Sequence, residues 1–353
     1  RDNRRVEVFV YSNSVDDQSA YYNTLKEEPE HFIDAREMSQ PEVAARVNTD
    51  LVSVLVDLKQ HTQEGMPLVI ALKPSPIRAI YLGFPGSMGY GAAQYLVSDR
   101  LVTPPELHQL YDERLLLLPW SYQLNNYAND AMEQSEVLGP DAMAATARPN
   151  NASTVFICLN HPRKIKPPHF AVWMKILKRV PGSKLWLFVR HPKAATNLQE
   201  EAKAFGVDQN RLVFAENMPK KAHMTRYQNA DVFLDTLPYN AHTTGSEALF
   251  TGSLTAPHNF KSTRQRKRVV GLPVVTCMGN GMAARVGGSL LTAAHSSVCP
   301  RPLLPSPLHA YPSAFILTPL DSFLPFRLSS CLFLSLPFCF SLSVSPFLSS
   351  SRS

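Results

Sequence analysis

The sequence predicts an α/β protein made of two units, each organised around a doubly wound parallel sheet. Three observations predict it. Strand-like and helix-like segments alternate over most of the chain. Residues 51–58, LVSVLVDL, form a near-continuous β-branched apolar run, the mark of a strand covered on both faces. From Ala230, ADVFLDTLPYNAHTTGSEALFTG passes from an apolar strand through Pro, Asn and Asp turn chemistry into a helix start. A length of 353 residues agrees with two domains, and 44% hydrophobic with 18% charged residues can bury a sizeable core. The net charge of +6 permits acidic partners, nucleotide phosphates among them, without requiring any.

In the first unit, residues 6–12 and 31–34 read as strands and 42–49 as a helix. The 51–58 strand leads into a loop with His61 and Thr62, and residues 76–82 end at Gly83-Phe84-Pro85-Gly86, where glycine allows positive φ or close backbone approach. Residues 95–99 read as strand, 104–111 as a helix begun at proline, and 114–118 as strand. This unit is assigned to 1–145, with a linker at 146–154. The second unit spans 155–291. It has strands at 155–159, 184–189, 212–215, 232–234 and 274–277, and helices at 197–206, ending at glycine, and 220–229. Phe170, Trp173, Met174 and Leu177 fall at i, i+3, i+4 and i+7, the core stripe of an amphipathic helix.

The five cysteines, at 158, 277, 299, 331 and 339, lack CxxC or metal-ligand spacing, which argues against a zinc site and a disulfide framework; a reducing compartment is the default. Residues 1–12, RDNRRVEVFVYS, carry neither an initiator Met nor a signal-peptide pattern and read as the start of a fragment. Residues 300–353 form a Ser, Leu, Pro and Phe tail whose apolar run at 331–342 is cut by Pro337 and falls short of the roughly 20 residues a membrane span needs. The tail from 292 is therefore expected to lie outside the fold, and no membrane is expected as a partner.

The 231–252 stretch carries the chemistry. A strand, a small-residue loop and a helix start present backbone N–H groups and the positive end of a helix dipole, which suits a phosphate or pyrophosphate. A threonine is available as N-cap, and Glu247 is expected in the first helical turn.

DTLPYNAHTTGSEAL resembles the nucleotide-sugar-binding signature of the O-GlcNAc transferases. FICLNHPRKIKPPHFAVWMKILKRVPGSKLWL, NRLVFAENMPKKAHMTRYQNADV and AIYLGFPGSMGYGAAQYLVSDRLVTPPE resemble other parts of that family, so that the matches cover roughly residues 5–290. The resemblance implies a GT-B fold, two Rossmann-like units facing a cleft, and transfer of N-acetylglucosamine from UDP-GlcNAc to Ser and Thr of intracellular proteins, in cytoplasm or nucleus. It implies a donor substrate but no metal or other cofactor, and no nucleic acid. Lys164 matches an essential phosphate-contacting lysine, and His161 replaces the usual glutamine while still able to donate a hydrogen bond. Lys220 matches a ribose-contacting lysine, His223 and Arg226 the pair that brackets uracil, and His242, Thr243 and Thr244 the pyrophosphate holders. Glu247 stands where an aspartate usually takes the ribose hydroxyls. Thr62, Leu82, Gly83 and Tyr239 match positions lining the sugar pocket, and Asp50, which matches an aspartate near the active site, is the in-chain candidate for the catalytic acceptor base.

Residues 253–270, including Arg264, Arg266, Lys267 and Arg268, interrupt the family pattern and read as an inserted loop or a retained intron. The tetratricopeptide repeats and the histidine discussed as acceptor base in the family find no match in this chain. A Spindly-type protein O-fucosyltransferase using GDP-fucose shares the fold; His242 weighs against it, since such sequences tend to be threonine-rich there. A catalytically incomplete binding remnant is the third reading.

Overall fold

The computed structural model describes residues 6–125, 127, 139–251, 271–296 and 316–317. The inserted loop at 253–270 and most of the tail lie outside them. The described residues divide into two compact units, one within 1–124, 238–240 and 278–289, the other within 125–237, 241–277 and 290–353.

The first unit opens with β1 (Phe9–Ser12), α1 (Ala20–Glu27), β2 (His31–Asp34) and α2 (Gln40–Thr49), β1 pairing β2 in parallel. The hydroxyl of Ser19 caps α1 by accepting from Tyr22 N at 3.1 Å. At α2, Ser39 N donates to the Glu42 carboxylate at 2.7 Å, the return bond of a capping box. No apolar stripe marks α1 in the sequence, since only Tyr22 of that helix is buried. Then follow β3 (Val54–Asp57), α3 (Pro67–Ala71), β4 (Ile77–Ile80), β5 (Tyr95–Asp99) and β6 (Arg114–Leu118), a parallel sheet in sequence order. The expectation that 51–58 is covered on both faces is overturned: β3 is an edge strand, and Val54 and Val56 on one face are 49% and 44% exposed. Residues 105–110 form a 3₁₀ turn rather than an α-helix, with no side chain buried to hold a longer one.

The second unit contains α4 (Pro140–Thr146), β7 (Val155–Cys158), α5 (Pro167–Arg179), β8 (Lys184–Phe188), α6 (Pro192–Ala204), β9 (Leu212–Ala215), α7 (Lys220–Gln228), β10 (Val232–Leu234), α8 (Thr243–Phe250) and β11 (Val274–Cys277). Its parallel sheet runs β11-β10-β7-β8-β9, and Ile316–Leu317, β12, add a short parallel edge beside β11. The helix α9 spans Val286–Ser296. The helix α4 is tied to this unit: Asn229 Nδ2 donates to Thr146 O at 2.7 Å, and Arg148 pairs with Asp231 at 2.6 Å.

All four residues of the α5 stripe are buried, and Trp173, Met174 and Leu177 are at most 2% exposed. Burying each such side chain contributes about 1.5–3 kcal/mol, so this helix is a main fixing of the unit. The α6 helix starts five residues earlier than expected because His191, not a usual cap residue, accepts Lys193 N on Nδ1 at 3.2 Å ahead of Pro192. It stops as expected: Gly206 has φ +68°, Gly206 N bonds Lys203 O at 2.8 Å and Val207 N bonds Ala202 O at 2.9 Å, a Schellman cap. All four residues of β7 are buried, as befits the middle of a parallel sheet.

Candidate functional site

Parallel strands deliver their C-terminal ends to one edge of a sheet, where crevices form. In the second unit β7 ends at Cys158 and runs on to Asn160, while β10 ends at Leu234 and runs on to Asp235. Asp235 is fully buried and its charge is satisfied locally. Its Oδ1 accepts Thr236 N at 2.7 Å and Ala241 N at 2.6 Å, and its Oδ2 accepts the Thr276 hydroxyl at 2.6 Å. Burial nonetheless raises its pKa, against those hydrogen bonds and against Lys164. Asn160, 1% exposed, donates from Nδ2 to Thr236 Oγ1 at 2.8 Å and to Asp235 Oδ1 at 3.3 Å, and accepts the Thr244 hydroxyl on Oδ1. The ends of β7 and β10 and the start of α8 are thereby tied together.

Lys164 sits at the end of the 3₁₀ turn 162–164 that follows Asn160. Burial lowers its pKa to about 8, with Asp235 pulling the other way. An ammonium desolvated to this degree is poised to respond to a further negative charge. His161 accepts Arg163 N on Nδ1 at 3.2 Å, which places its proton on Nε2 as a donor. Its pKa is lowered by burial and then by Arg163, Arg190 and Lys164, which keeps the ring neutral.

The helix α8 begins differently from the sequence reading. Its cap is His242, and Thr243 and Thr244 are the first helical residues. Intrahelical bonding starts with Gly245 N at 3.1 Å and Ser246 N at 3.0 Å to His242 O, so the amides of Thr243 and Thr244 precede it. Glu247 falls beyond the first turn and is buried, 8% exposed. Its Oε2 accepts from the Tyr227 hydroxyl at 3.1 Å and lies 3.1 Å from His223 Nε2. The longer glutamate reaches across to α7, and burial together with Glu247 holds the Tyr227 phenol well above its ordinary pKa. His223 also packs edge-to-face on Tyr227 at 5.5 Å.

Arg226 lies on α7 with His223. It is 1% exposed, and Nη1 donates to Glu216 O at 2.7 Å while Nε is buried with no partner. Lys220 lies over the Tyr127 ring at 5.1 Å. The second unit therefore gathers His161, Lys164, Thr243, Thr244 and Asn160 around the ends of β7 and β10, and His223 and Glu247 between α7 and α8.

The first unit holds the remaining candidates. Gly83 N bonds Tyr81 O at 2.9 Å around Leu82, whose φ is +72°, a γ-turn that is rare and strained for a branched side chain. A Cβ on Gly83 would stand 2.3 Å from Leu58 O, so glycine is required by close approach. Phe84 N is held by Gln60 Oε1 at 2.8 Å, and the Thr62 hydroxyl donates to Lys59 O at 2.6 Å. Thr62, Leu82 and Gly83 are thus joined through the 58–62 loop. Tyr239 belongs to the same unit, its pKa raised by burial. Asp50 ends α2, accepting Tyr11 OH at 2.8 Å and Arg46 Nε at 2.8 Å. Burial opposes ionisation there, yet Tyr11 and Arg46 bring its pKa below the ordinary value, which suits a structural cap better than a proton acceptor.

The model of glycosyl transferase family 41 matches residues 1–134 and 131–298. The chain belongs to this family. It is 33% identical over 292 residues to a probable UDP-N-acetylglucosamine–peptide N-acetylglucosaminyltransferase, SEC, of Arabidopsis thaliana, covering 82% of this chain and 27% of that protein. It is 24% identical over 398 residues to the Caenorhabditis elegans UDP-N-acetylglucosamine–peptide N-acetylglucosaminyltransferase, covering 83% and 33%. A rice protein named SPINDLY, also described as a probable peptide N-acetylglucosaminyltransferase, is 29% identical over 263 residues, 72% of this chain and 25% of that one. Among solved structures, a Thermobaculum terrenum O-GlcNAc transferase mutant superposes with TM-score 0.66 at 29% identity, over 82% of this chain and 50% of that one. This chain spans about a quarter to a third of the length of those curated relatives. Its α/β fold of parallel sheets is of the GT-B class, as expected.

Sequence reasoning missed Asn160, Asp235, Thr236 and Tyr227. Asn160 and Asp235 were within reach of it: each is the first hydrogen-bonding side chain after a fully apolar strand segment, where a parallel sheet places its ligand-facing edge. Tyr227 gave no such signal, because its bond to Glu247 is made across 20 residues of chain.

Proposed function

We propose that this chain is the catalytic region of a protein O-GlcNAc transferase, moving N-acetylglucosamine from UDP-GlcNAc to Ser and Thr hydroxyls of proteins. The observation that carries it is the half-desolvated Lys164, beside the buried Asp235 that holds Ala241 just ahead of the α8 cap. In such a transfer the bond from the sugar's anomeric carbon to the β-phosphate oxygen breaks, and one to the acceptor oxygen forms. The electron pair of the broken bond leaves with UDP, and the proton of the acceptor hydroxyl passes to solvent water. Negative charge grows on the β-phosphate, and a cation and helix amides fixed in advance stabilise it without reorganising. Lys164 supplies the charge, the amides of Thr243 and Thr244 supply donors, and neutral His161 donates from Nε2. Stabilisation by these groups lets the transfer proceed without a divalent metal. His223 and Glu247 are assigned to the nucleoside end with Lys220 and Arg226, and Thr62, Leu82, Gly83 and Tyr239 to the sugar. Asp50 receives no catalytic role. Cytoplasm or nucleus is the expected place of action, since the acceptors are intracellular proteins.

Thermal unfolding with UDP, UDP-GlcNAc, GDP and GDP-fucose tests the donor. Stabilisation by the uridine ligands at about a hundred times their Kd should reach about 2.7 kcal/mol. Stabilisation by GDP-fucose alone would transfer the chain to the O-fucosyltransferase reading.

A further inference from the structure

The two threonines that open α8 have different surroundings. Thr243 is exposed, and its side chain makes no hydrogen bond with any described residue. Thr244 is half-buried and gives its hydroxyl proton to Asn160 Oδ1. The orientation of the Asn160 amide is dictated by its neighbours. Asp235 Oδ1 already accepts two backbone N–H groups, so the group facing it must be a donor, Nδ2. The carbonyl end therefore faces Thr244 and can only accept. A hydroxyl has one proton, and that of Thr244 is committed to the protein.

We infer that Thr244 and Asn160 form a clasp that positions the α8 N-terminus, and that Thr244 is not a hydroxyl donor to the donor diphosphate. Thr243 and the two leading amides meet the phosphates directly. This rests on the nucleotide-sugar reading above and divides the labour within it. The clasp spans three elements: the end of β7 through Asn160, the end of β10 through Thr236 and Asp235, and the first turn of α8 through Thr244. Losing it lets the helix start drift relative to Lys164, which follows Asn160 by four residues. A small misplacement of fixed donors is costly because their value lies in being aimed beforehand.

The test is a pair of double-mutant cycles on the full chain, read by UDP calorimetry and by chemical unfolding without nucleotide. Thr244→Val and Asn160→Ala should each weaken UDP binding about tenfold, and the double variant should be no weaker than the poorer single. Thr244→Ser, which keeps the proton, should bind UDP like the parent. Thr243→Val should weaken binding additively with Asn160→Ala, since it acts on the ligand and not through the clasp. The unfolding cycle should show the same coupling of Thr244 with Asn160 and none with Thr243. Additive losses for Thr244→Val and Asn160→Ala in both readouts would overturn the clasp. Coupling in stability with undiminished UDP affinity in either single variant would make it structural only and overturn its positioning role. A parent chain that takes up no UDP would overturn the nucleotide-sugar reading and, with it, the ligand half of this inference, while the unfolding cycle still decides the clasp.

Discussion

Lys164→Met separates the cost of the buried ammonium from its use. The folded chain lowers this group from 10.5 to about 8, and at about 1.36 kcal/mol per pKa unit the ammonium is disfavoured by about 3 kcal/mol. Water reaching the part-exposed side chain reduces this to about 1–3 kcal/mol. The sign follows from proton counting. Between about 8 and 10.5 the unfolded chain holds a proton that the folded chain has lost, so stability rises with pH across that window. Below about 8 the full cost is present. Methionine keeps the aliphatic stem without the charge, so at pH 7 the variant should be more stable by about 1–3 kcal/mol, several degrees in Tm. That gain should fade as pH approaches the unfolded value.

Function should move the other way. A bound diphosphate favours the ammonium and raises its pKa, so at pH 9 the parent should take up a proton on binding UDP. Calorimetry in buffers of different ionisation enthalpy measures this uptake, which the variant should lack. Turnover to an acceptor peptide should fall about a hundredfold or more, with a smaller loss of donor affinity. Near-normal turnover, or an unchanged pH dependence of unfolding between 8 and 10.5, would refute the reasoning.

Trp173→Ala should cost about 3–5 kcal/mol, seen as a lower denaturant midpoint of the second unit, because the ring is 2% exposed in the core. Gly83→Ala should destabilise the first unit and weaken donor binding, since the added methyl meets Leu58 O at 2.3 Å; circular dichroism melts and UDP-GlcNAc titration check both. Glu247→Gln should leave the fold intact and weaken uridine more than inorganic pyrophosphate, because the side chain holds Tyr227 together with His223, which the proposed function assigns to the nucleoside end. Adding EDTA should leave UDP affinity and transfer unchanged; a loss restored by a divalent cation would contradict the assignment of leaving-group charge to Lys164.

The sequence by itself determined the α/β class, the parallel strands and the α5 core stripe. These depend on periodicity and on residues near one another in the chain, and a strand such as 155–158 or a helix with Phe170, Trp173, Met174 and Leu177 announces itself locally. The Gly206 stop was legible for the same reason, since a left-handed residue after a helix needs glycine. The candidate site was legible as residue types on several signature stretches. Only the tertiary structure decided what each does there: that Arg226 turns inward to Glu216, that Glu247 reaches His223 and Tyr227, and that Asp50 caps a helix between Tyr11 and Arg46. It also decided that β3, apolar enough for a covered strand, lies at an edge. A strand's apolar run shows that it can be buried, but which layer covers it depends on packing from elsewhere in the chain. Likewise the sharing of one proton between Thr244 and Asn160 joins groups 84 residues apart, and hydrogen-bond direction is set by what surrounds both partners, not by either one's neighbours in sequence.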